Sequence, residues 1–529
     1  MNFRISFAFF LIAFMAVATA LPQTTISVLP QPNEITSYGS TIVLDKKLNI
    51  YLDTEANLDK LYVSSIFHEI GFRAYFTTKS DAHLVLLIDK KSVKNNEGYL
   101  LQVENKRKNR IIAKAPTKNG LLYALQSLRQ IISNENGVFT IPACTVNDEP
   151  AFAWRAFMLD ESRHFHGEHV VKGLLDEMAR LKMNIFHWHL VDDPGWRIEI
   201  KKYPRLTTIG SKRDFSHQQV TEETWDKLFP NRKMFYTQDE IREIVEYASD
   251  RGIRVIPEIE VPGHSSAAIY SYPWLGASSK KEGSGIWGDI YNVTDPKVEE
   301  FLRDVLDEVV ELFPSRIVHI GGDEANYTHW QNNPEIVDFM KKNNLPTFSD
   351  LQVWSINRFS NYLASKGVRM MGWNEITGDN IRAEEHIEAS QSEQLAPGTI
   401  VHFWDGEINL VNKAIAKGYD VVNSNRHFTY LDYPYESISF EKAYSFNPIP
   451  EELDKEDEVK ILGLGCQMWG EYTPNIHRLY YQIFPRIAAY AECGWTSYDK
   501  RDFSDFKNRF GNIRTLWKEK GFLRGQPEE

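Results

Sequence analysis

The sequence predicts an α/β protein: a (β/α)8 TIM barrel preceded by a small α+β domain with an antiparallel sheet. Three observations carry this expectation. Beyond Trp154, short apolar runs alternate with amphipathic segments of helical period, the pattern of parallel strands joined by helical crossovers. Eight such runs occur. Reactive side chains collect at their carboxyl ends, where barrels of this kind build their sites.

The elements follow in chain order. Residues 1–20 read as a secretory signal peptide: Arg4 precedes an apolar run over 5–17, and Ala18-Thr19-Ala20 supplies the small-x-small cleavage pattern. That run is too short to span a bilayer, and no later stretch of about 18 uncharged apolar residues follows, so no membrane span is expected. Residues 21–150 read as the small domain, with strands at 41–44 and 83–88 and helices at 57–70 and 118–132. Residues 142–150 read as a linker, because Glu149 precedes a proline and is pushed out of helix. The catalytic barrel is then 151–529. Its strands are expected at 157–159, 183–187, 254–259, 317–320, 368–373, 399–404, 420–423 and 461–469. Helices fit between them at 170–181, 238–249, 297–312, 348–365 and 410–417.

Composition narrows the function. At 529 residues with 42% apolar and 13% aromatic content, the chain can bury a large core, and its 13 Trp and 24 Tyr suit the apolar faces of sugars. A formal charge of −12 without a basic stripe argues against a nucleic-acid partner. Cys144, Cys466 and Cys493 are odd in number and lack metal-ligand spacing. His187-Trp188-His189 alternates like a ligand pair, yet the helix-borne His-Glu-x-x-His arrangement is missing, so no metal and no organic cofactor is implied. Asn292-Val293-Thr294 and Asn326-Tyr327-Thr328 are glycosylation sequons, in keeping with a secretory route.

The strand ends gather a sugar-handling set. Strand one runs into Asp160 and Arg163, strand two into His187, His189, Asp192 and Asp193, and strand three into Glu258 and His264. Strand four delivers Asp323 and Glu324 after Gly321-Gly322, two glycines that mark a close backbone approach. Strands five and six end at Trp373 and Trp404, the seventh leads to Tyr430 and Asp432, and the eighth to Trp469 and Glu471. Breaking a glycosidic bond requires a proton for the departing oxygen. An ionised Asp323 raises the pKa of its neighbour, which divides the pair into anion and acid, with Glu324 the acid.

The chain resembles the β-N-acetylhexosaminidases, glycoside hydrolase family twenty. The matching segments are Met158-Leu159-Asp160-Glu161-Ser162-Arg163-His164-Phe165, Phe186-His187-Trp188-His189-Leu190-Val191-Asp192-Asp193, Pro257-Glu258 with Val261-Pro262-Gly263-His264, His319 to Glu324, Gly372-Trp373-Asn374-Glu375, and Met468-Trp469-Gly470-Glu471-Tyr472. They lie in family order across the chain beyond the leader. The resemblance implies exo-acting removal of terminal non-reducing β-linked N-acetylglucosamine or N-acetylgalactosamine, in which the substrate's own acetamido oxygen attacks the anomeric carbon and forms an oxazolinium. It implies Glu324 as acid and then base, and Asp323 as the residue that orients the acetamido group. Tyr430 would donate to the acetamido oxygen, and Trp373, Trp404 and Trp469 would wall the pocket. Arg163, Asp432 and Glu471 would hold the sugar hydroxyls, and His264 would support the acids. Asp160, His187 and Glu258 are expected behind these. N-Acetylhexosamine-terminated glycans are the implied partners, pairing as a homodimer is implied, and a lysosomal address is favoured over secretion. The sequence departs from animal relatives at His329, where they commonly have a cysteine. Two other readings stay open: an ordinary retaining glycosidase with Glu258 or Glu375 as nucleophile, and a non-catalytic sugar-binding barrel.

Overall fold

The computed structural model describes residues 26–105, 110–212, 233–278, 288–379 and 394–527, together with 381, 382, 386, 387 and 389. The leader at 1–20 lies outside the described residues. Among those described, no helix is long and apolar enough to cross a membrane.

The first unit is a sheet with two helices. Its strands are β1 (Glu34–Leu44), β2 (Lys47–Leu52), β3 (Arg73–Phe76), β4 (Leu84–Ile88), β5 (Tyr99–Glu104), β6 (Arg110–Ala115), β7 (Ser133–Glu135) and β8 (Val138–Asp148), and its helices are α1 (Lys60–Glu69) and α2 (Lys118–Ile131). The strand order is β1-β8-β5-β6-β4-β2-β3, with β7 on β8. The half containing β1, β8, β5 and β6 is antiparallel as expected, whereas β6-β4-β2-β3 runs parallel, since α1 carries the chain across from β2 to β3. The expected linker at 142–150 is mostly strand. Ile141, Ala143 and Val146 bury against the small domain's core, and the proline constrains only Glu149.

The barrel closes from eight parallel strands in sequence order: Trp154–Asp160, Ile185–His189, Arg254–Glu258, Ile317–His319, Arg369–Trp373, Ile400–Phe403, Asp420–Asn423 and Ile461–Met468. Helices cover its outside. That on Phe348–Ser365 starts with a Thr347–Asp350 capping box and that on Gln238–Asp250 with Thr237–Glu240, so orphan N–H groups at both starts are satisfied by side chains.

Strand parity builds the interior in layers, because residues two apart point to the same side. The lowest layer is apolar: Trp154, Ala156, Ile185, Ile256, Ile317, Met371, Ile400 and Val422 form one buried cluster. Two residues further along the same strands come His187, Glu258, His319, Trp373 and His402, all buried. Another two residues reach His189, Glu260, Gly321 and Trp404, the layer beneath the mouth, where Glu260 and Trp404 face the opening. An apolar plug, a buried polar layer and a reactive rim thus follow from one periodicity.

The two units share a buried polar seam. Asp148, at the end of β8, accepts from Lys182 Nζ at 2.9 Å, Tyr99 Oη at 2.7 Å and Trp495 Nε1 at 2.9 Å. Both charged side chains are wholly buried, and breaking such a pair from one side typically costs ~3–5 kcal/mol. The small sheet is therefore anchored to the barrel floor, opposite the reactive rim.

Candidate active site

The chain leaves barrel strand four as Ile320-Gly321-Gly322-Asp323-Glu324. Gly321 has φ +65°, and a Cβ there would lie 1.6 Å from Glu260 Oε2; Gly322 has φ +94°, and its Cβ would lie 2.5 Å from the Ile376 side chain. Only glycine fits both positions, so the close approach expected from the double glycine is real. Glu324 itself has φ +45°, a strained conformation for a residue with a side chain. That turn places Asp323 and Glu324 together in one pocket.

The pocket has a volume of about 260 Å³ and opens at the carboxyl ends of the strands. Asp323 is 6% exposed, and its Oδ1 has no hydrogen-bond partner among the described residues. Its Oδ2 lies 3.8 Å from His264 Nε2, and Glu324 Oε2 lies 3.8 Å from the same nitrogen. Glu324 is at the rim, with its side chain 41% exposed. Burial pushes the Asp323 carboxyl up, His264 pulls it down, and Glu324 and Glu258 push it up again; the net direction is upward. The sequence reading puts the raised pKa on Glu324 and keeps Asp323 the anion. In the structure Asp323 is the buried member of the pair and burial raises its carboxyl, while Glu324 reaches solvent at the rim.

The other wall holds the residues that the resemblance assigns to the sugar hydroxyls. Arg163 donates to Asp160 Oδ2 at 3.1 Å and pairs with Asp192 Oδ2 at 2.7 Å and Glu471 Oε1 at 3.6 Å, and its guanidinium lies 5.1 Å from the Trp469 ring centre. Asp160 also accepts from Gly470 N at 2.8 Å, which ties strand one to the loop after strand eight. Asp432 Oδ1 is buried without a hydrogen-bond partner among the described residues, and burial with the nearby Glu471 pushes this carboxyl up to about 7. Trp404, Tyr430 and Trp469 line the same pocket, Trp404 and Tyr430 with rings nearly parallel and 6.2 Å apart.

Trp373, expected on the wall, sits one layer below it, in the buried layer of His187 and Glu258. Trp373 is fully buried, 5.8 Å from Trp469 and 6.4 Å from Trp404, so it backs these rings. Its Nε1 donates to Glu258 Oε1 at 2.9 Å. Glu258 also lies 2.9 Å from His187 Nε2, 2.6 Å from His189 Nδ1 and 2.9 Å from His319 Nδ1. Burial opposes its charge, yet these three imidazoles hold it well below the usual carboxylate range. Glu375, also buried, accepts from Trp404 Nε1 at 3.0 Å. Of the two sequons, Asn326 is exposed two residues beyond Glu324, whereas Asn292 Oδ1 accepts from Thr294 Oγ1 at 2.7 Å.

Sequence reasoning left out Glu260, Arg426, Tyr433 and Tyr472, which line the pocket, and gave no role to Asp192. Strand parity points to Glu260 through the spacing Ile256, Glu258, Glu260. The loop residues had no such signal. Asp192, Asp193 and His264 bring potential ligand atoms within 4.8 Å of one another, as do His264, Asp323 and Glu324. Arg163 Nη2 at 2.7 Å and His264 Nδ1 at 3.2 Å already meet the two oxygens of Asp192.

A closed parallel barrel with a buried carboxyl, a rim acid and an aromatic-lined pocket at its carboxyl ends is the architecture that (β/α)8 glycoside hydrolases use. The sequence model for glycosyl hydrolase family 20, catalytic domain, matches residues 152–498, and that for domain 2 of the family matches 25–149. The chain belongs to glycosyl hydrolase family 20. It is 36% identical over 519 residues to a beta-hexosaminidase of Porphyromonas gingivalis, covering 92% of this chain and 62% of that one. It is 34% identical over 505 residues to a beta-hexosaminidase of Vibrio furnissii, covering 90% and 77%. The chain thus spans less than two thirds of the Porphyromonas protein. Among solved structures it is similar to the beta-N-acetylhexosaminidase of Bacteroides fragilis, with 30% identity, TM-score 0.79 and coverage of 95% and 97%. It is also similar to the exo beta-N-acetylglucosaminidase of Vibrio harveyi in complex with N-acetylglucosamine, with 29% identity, TM-score 0.81 and coverage of 94% and 77%.

Proposed function

We propose that this chain is an exo-acting β-N-acetylhexosaminidase that releases terminal non-reducing N-acetylglucosamine or N-acetylgalactosamine through an oxazolinium intermediate. The observation that carries this reading is Asp323 Oδ1, a buried oxygen in the pocket with no hydrogen-bond partner among the described residues. An acetamido N–H supplies the missing donor, stabilises the Asp323 anion and turns the acetamido oxygen toward the anomeric carbon. Positive charge then develops on the acetamido group beside Asp323, where a fixed carboxylate acts without reorganising. Glu324, exposed at the rim, protonates the leaving oxygen and afterwards takes a proton from the water that opens the intermediate.

Around this centre, Tyr430 donates to the acetamido oxygen, and Trp404 and Trp469 enclose the ring with Trp373 behind them. Arg163 donates to adjacent hydroxyls as a rigid fork, and Asp432 and Glu471 accept from the far hydroxyls. The ordinary retaining alternative needs a carboxylate facing the anomeric carbon. Glu258 and Glu375 do not serve it, since both are buried off the pocket wall and held by Trp373 and Trp404 respectively.

The test compares 4-nitrophenyl N-acetyl-β-glucosaminide and galactosaminide with the matching β-glucoside. The acetamido substrates turn over at least ~10³-fold faster, because an oriented internal nucleophile is absent from the glucoside. Equal rates, with no inhibition by a thiazoline mimic of the cyclic intermediate, would sink the substrate-assisted reading; absence of turnover would favour a binding barrel.

The chain is read as exported, on its leader-like start. Between the lysosomal and the secreted address, relatives in Porphyromonas and Vibrio, organisms without lysosomes, support secretion. Pairing as a homodimer rests on the family resemblance and is read out by sedimentation.

A further inference from the structure

His189 is fully buried and has a carboxylate at each ring nitrogen: Glu258 Oε2 lies 2.6 Å from Nδ1, and Asp192 Oδ2 lies 2.9 Å from Nε2. Asp192 in turn meets Arg163 Nη2 at 2.7 Å through the same oxygen and His264 Nδ1 at 3.2 Å through the other. His264 then faces Asp323 and Glu324, each at 3.8 Å. At the opposite end, Glu258 also accepts from Trp373 Nε1. One side chain thus joins the buried layer to the arginine at the sugar-binding wall and to the histidine behind the acids.

We propose that His189 is a positioning residue of the reaction, acting through Asp192 to hold Arg163 and His264 in register with Asp323 and Glu324. This rests on the hydrolase reading above. With acceptors on both sides, the ring fits its site only when both nitrogens carry hydrogen, as an imidazolium. Burial opposes that charge, but Glu258 and Asp192 outweigh it and hold the imidazolium far above its ordinary range. The groups facing the ring are Glu258 and Glu260 from strand three, Asp192 beyond its own strand, Asp160 from strand one and the neutral His319 from strand four, which burial lowers to about 4. His189 therefore offsets one unit of negative charge in a strongly acidic region. It also fixes Asp192 so that one oxygen serves Arg163 and the other serves His264.

Two substitutions separate this role from mere packing. The amide nitrogen of asparagine overlays Nδ1 and keeps the bond to Glu258; that of glutamine overlays Nε2 and keeps the bond to Asp192. His189→Gln is expected to retain at least tenfold more kcat on 4-nitrophenyl N-acetylglucosaminide than His189→Asn. Both variants lose the cation, which makes ionising every nearby carboxyl harder, so both limbs of the pH–rate profile move to higher pH, by on the order of half a unit. Equal losses with unmoved limbs, or a more active His189→Asn, would overturn the proposal. Melting temperatures identify a variant that does not fold. In that case His189→Ala, which removes both ring bonds, Asp192→Asn and their double variant form a cycle: a double variant no worse than Asp192→Asn supports action through Asp192, and losses that multiply contradict it. If the wild type shows no preference for the acetamido substrate over the glucoside, it is the hydrolase reading that fails.

Discussion

Replacing Glu324 by glutamine is expected to lower kcat about 10²–10⁴-fold on N-acetylhexosaminides with poor leaving groups, with little change in ligand affinity. The carboxyl sits at the rim of the pocket, where in the proposed mechanism it reaches the departing oxygen and incoming water, whereas in that mechanism the sugar is held by Arg163, Asp432 and the aromatic wall that line the pocket. The effect therefore falls on proton transfer. A highly activated aryl leaving group needs less help in the first step, so its loss in that step is smaller, and an added anionic nucleophile such as azide restores turnover by attacking the intermediate without a base. Rates across a series of aryl leaving groups check this. A loss independent of leaving group, or a parallel loss of affinity, would place Glu324 outside the proton-transfer role.

Asp323→Asn is expected to cost about 10²–10³-fold in kcat, the usual effect of removing one preorganised group beside developing charge. Asparagine keeps the shape and removes the anion that stabilises the oxazolinium. The pH dependence gives a second check with a definite sign. Burial raises the Asp323 carboxyl in the free enzyme, and the anion is the working form, so kcat/KM falls as pH drops through that raised value. Once substrate is bound, its N–H favours the anion and lowers the value, so the acid limb of kcat lies at lower pH than that of kcat/KM. In Asp323→Asn this separation disappears. Coincident limbs in the wild type would mean that Asp323 is not the group meeting the acetamido N–H.

The barrel and the acid pair were legible because they depend on local signals. Apolar runs of four to six residues such as 317–320 sit between helical stretches, and Gly321-Gly322 announces the turn that presents Asp323 and Glu324. Depth within the barrel was harder to read. Trp373 looks like a wall residue in a list of strand ends, but alternation along the strands sinks it into the layer of His402 and Glu258, one below Trp404 and Glu260. The same parity, applied to Ile256-Pro257-Glu258-Ile259-Glu260, places Glu260 in the pocket. Nothing in sequence reveals that Asp323 rather than Glu324 bears the burial, since that depends on how the strained turn at Glu324 tips the two side chains. Arg426, Tyr433 and Tyr472 reach the pocket from loops, whose path carries no periodic signal.

The most direct measurement of substrate assistance is the rate dependence on the acyl group itself. In 4-nitrophenyl glucosaminides bearing N-acetyl, N-fluoroacetyl, N-difluoroacetyl and N-trifluoroacetyl groups, each fluorine withdraws electron density from the attacking oxygen and leaves the leaving group unchanged. If that oxygen is the nucleophile, kcat/KM falls with every fluorine, by roughly a hundredfold or more across the series, equivalent to ~2.7 kcal/mol of barrier. A flat series would show that the acetamido oxygen does not attack and that the nucleophile is a group of the protein or a water molecule.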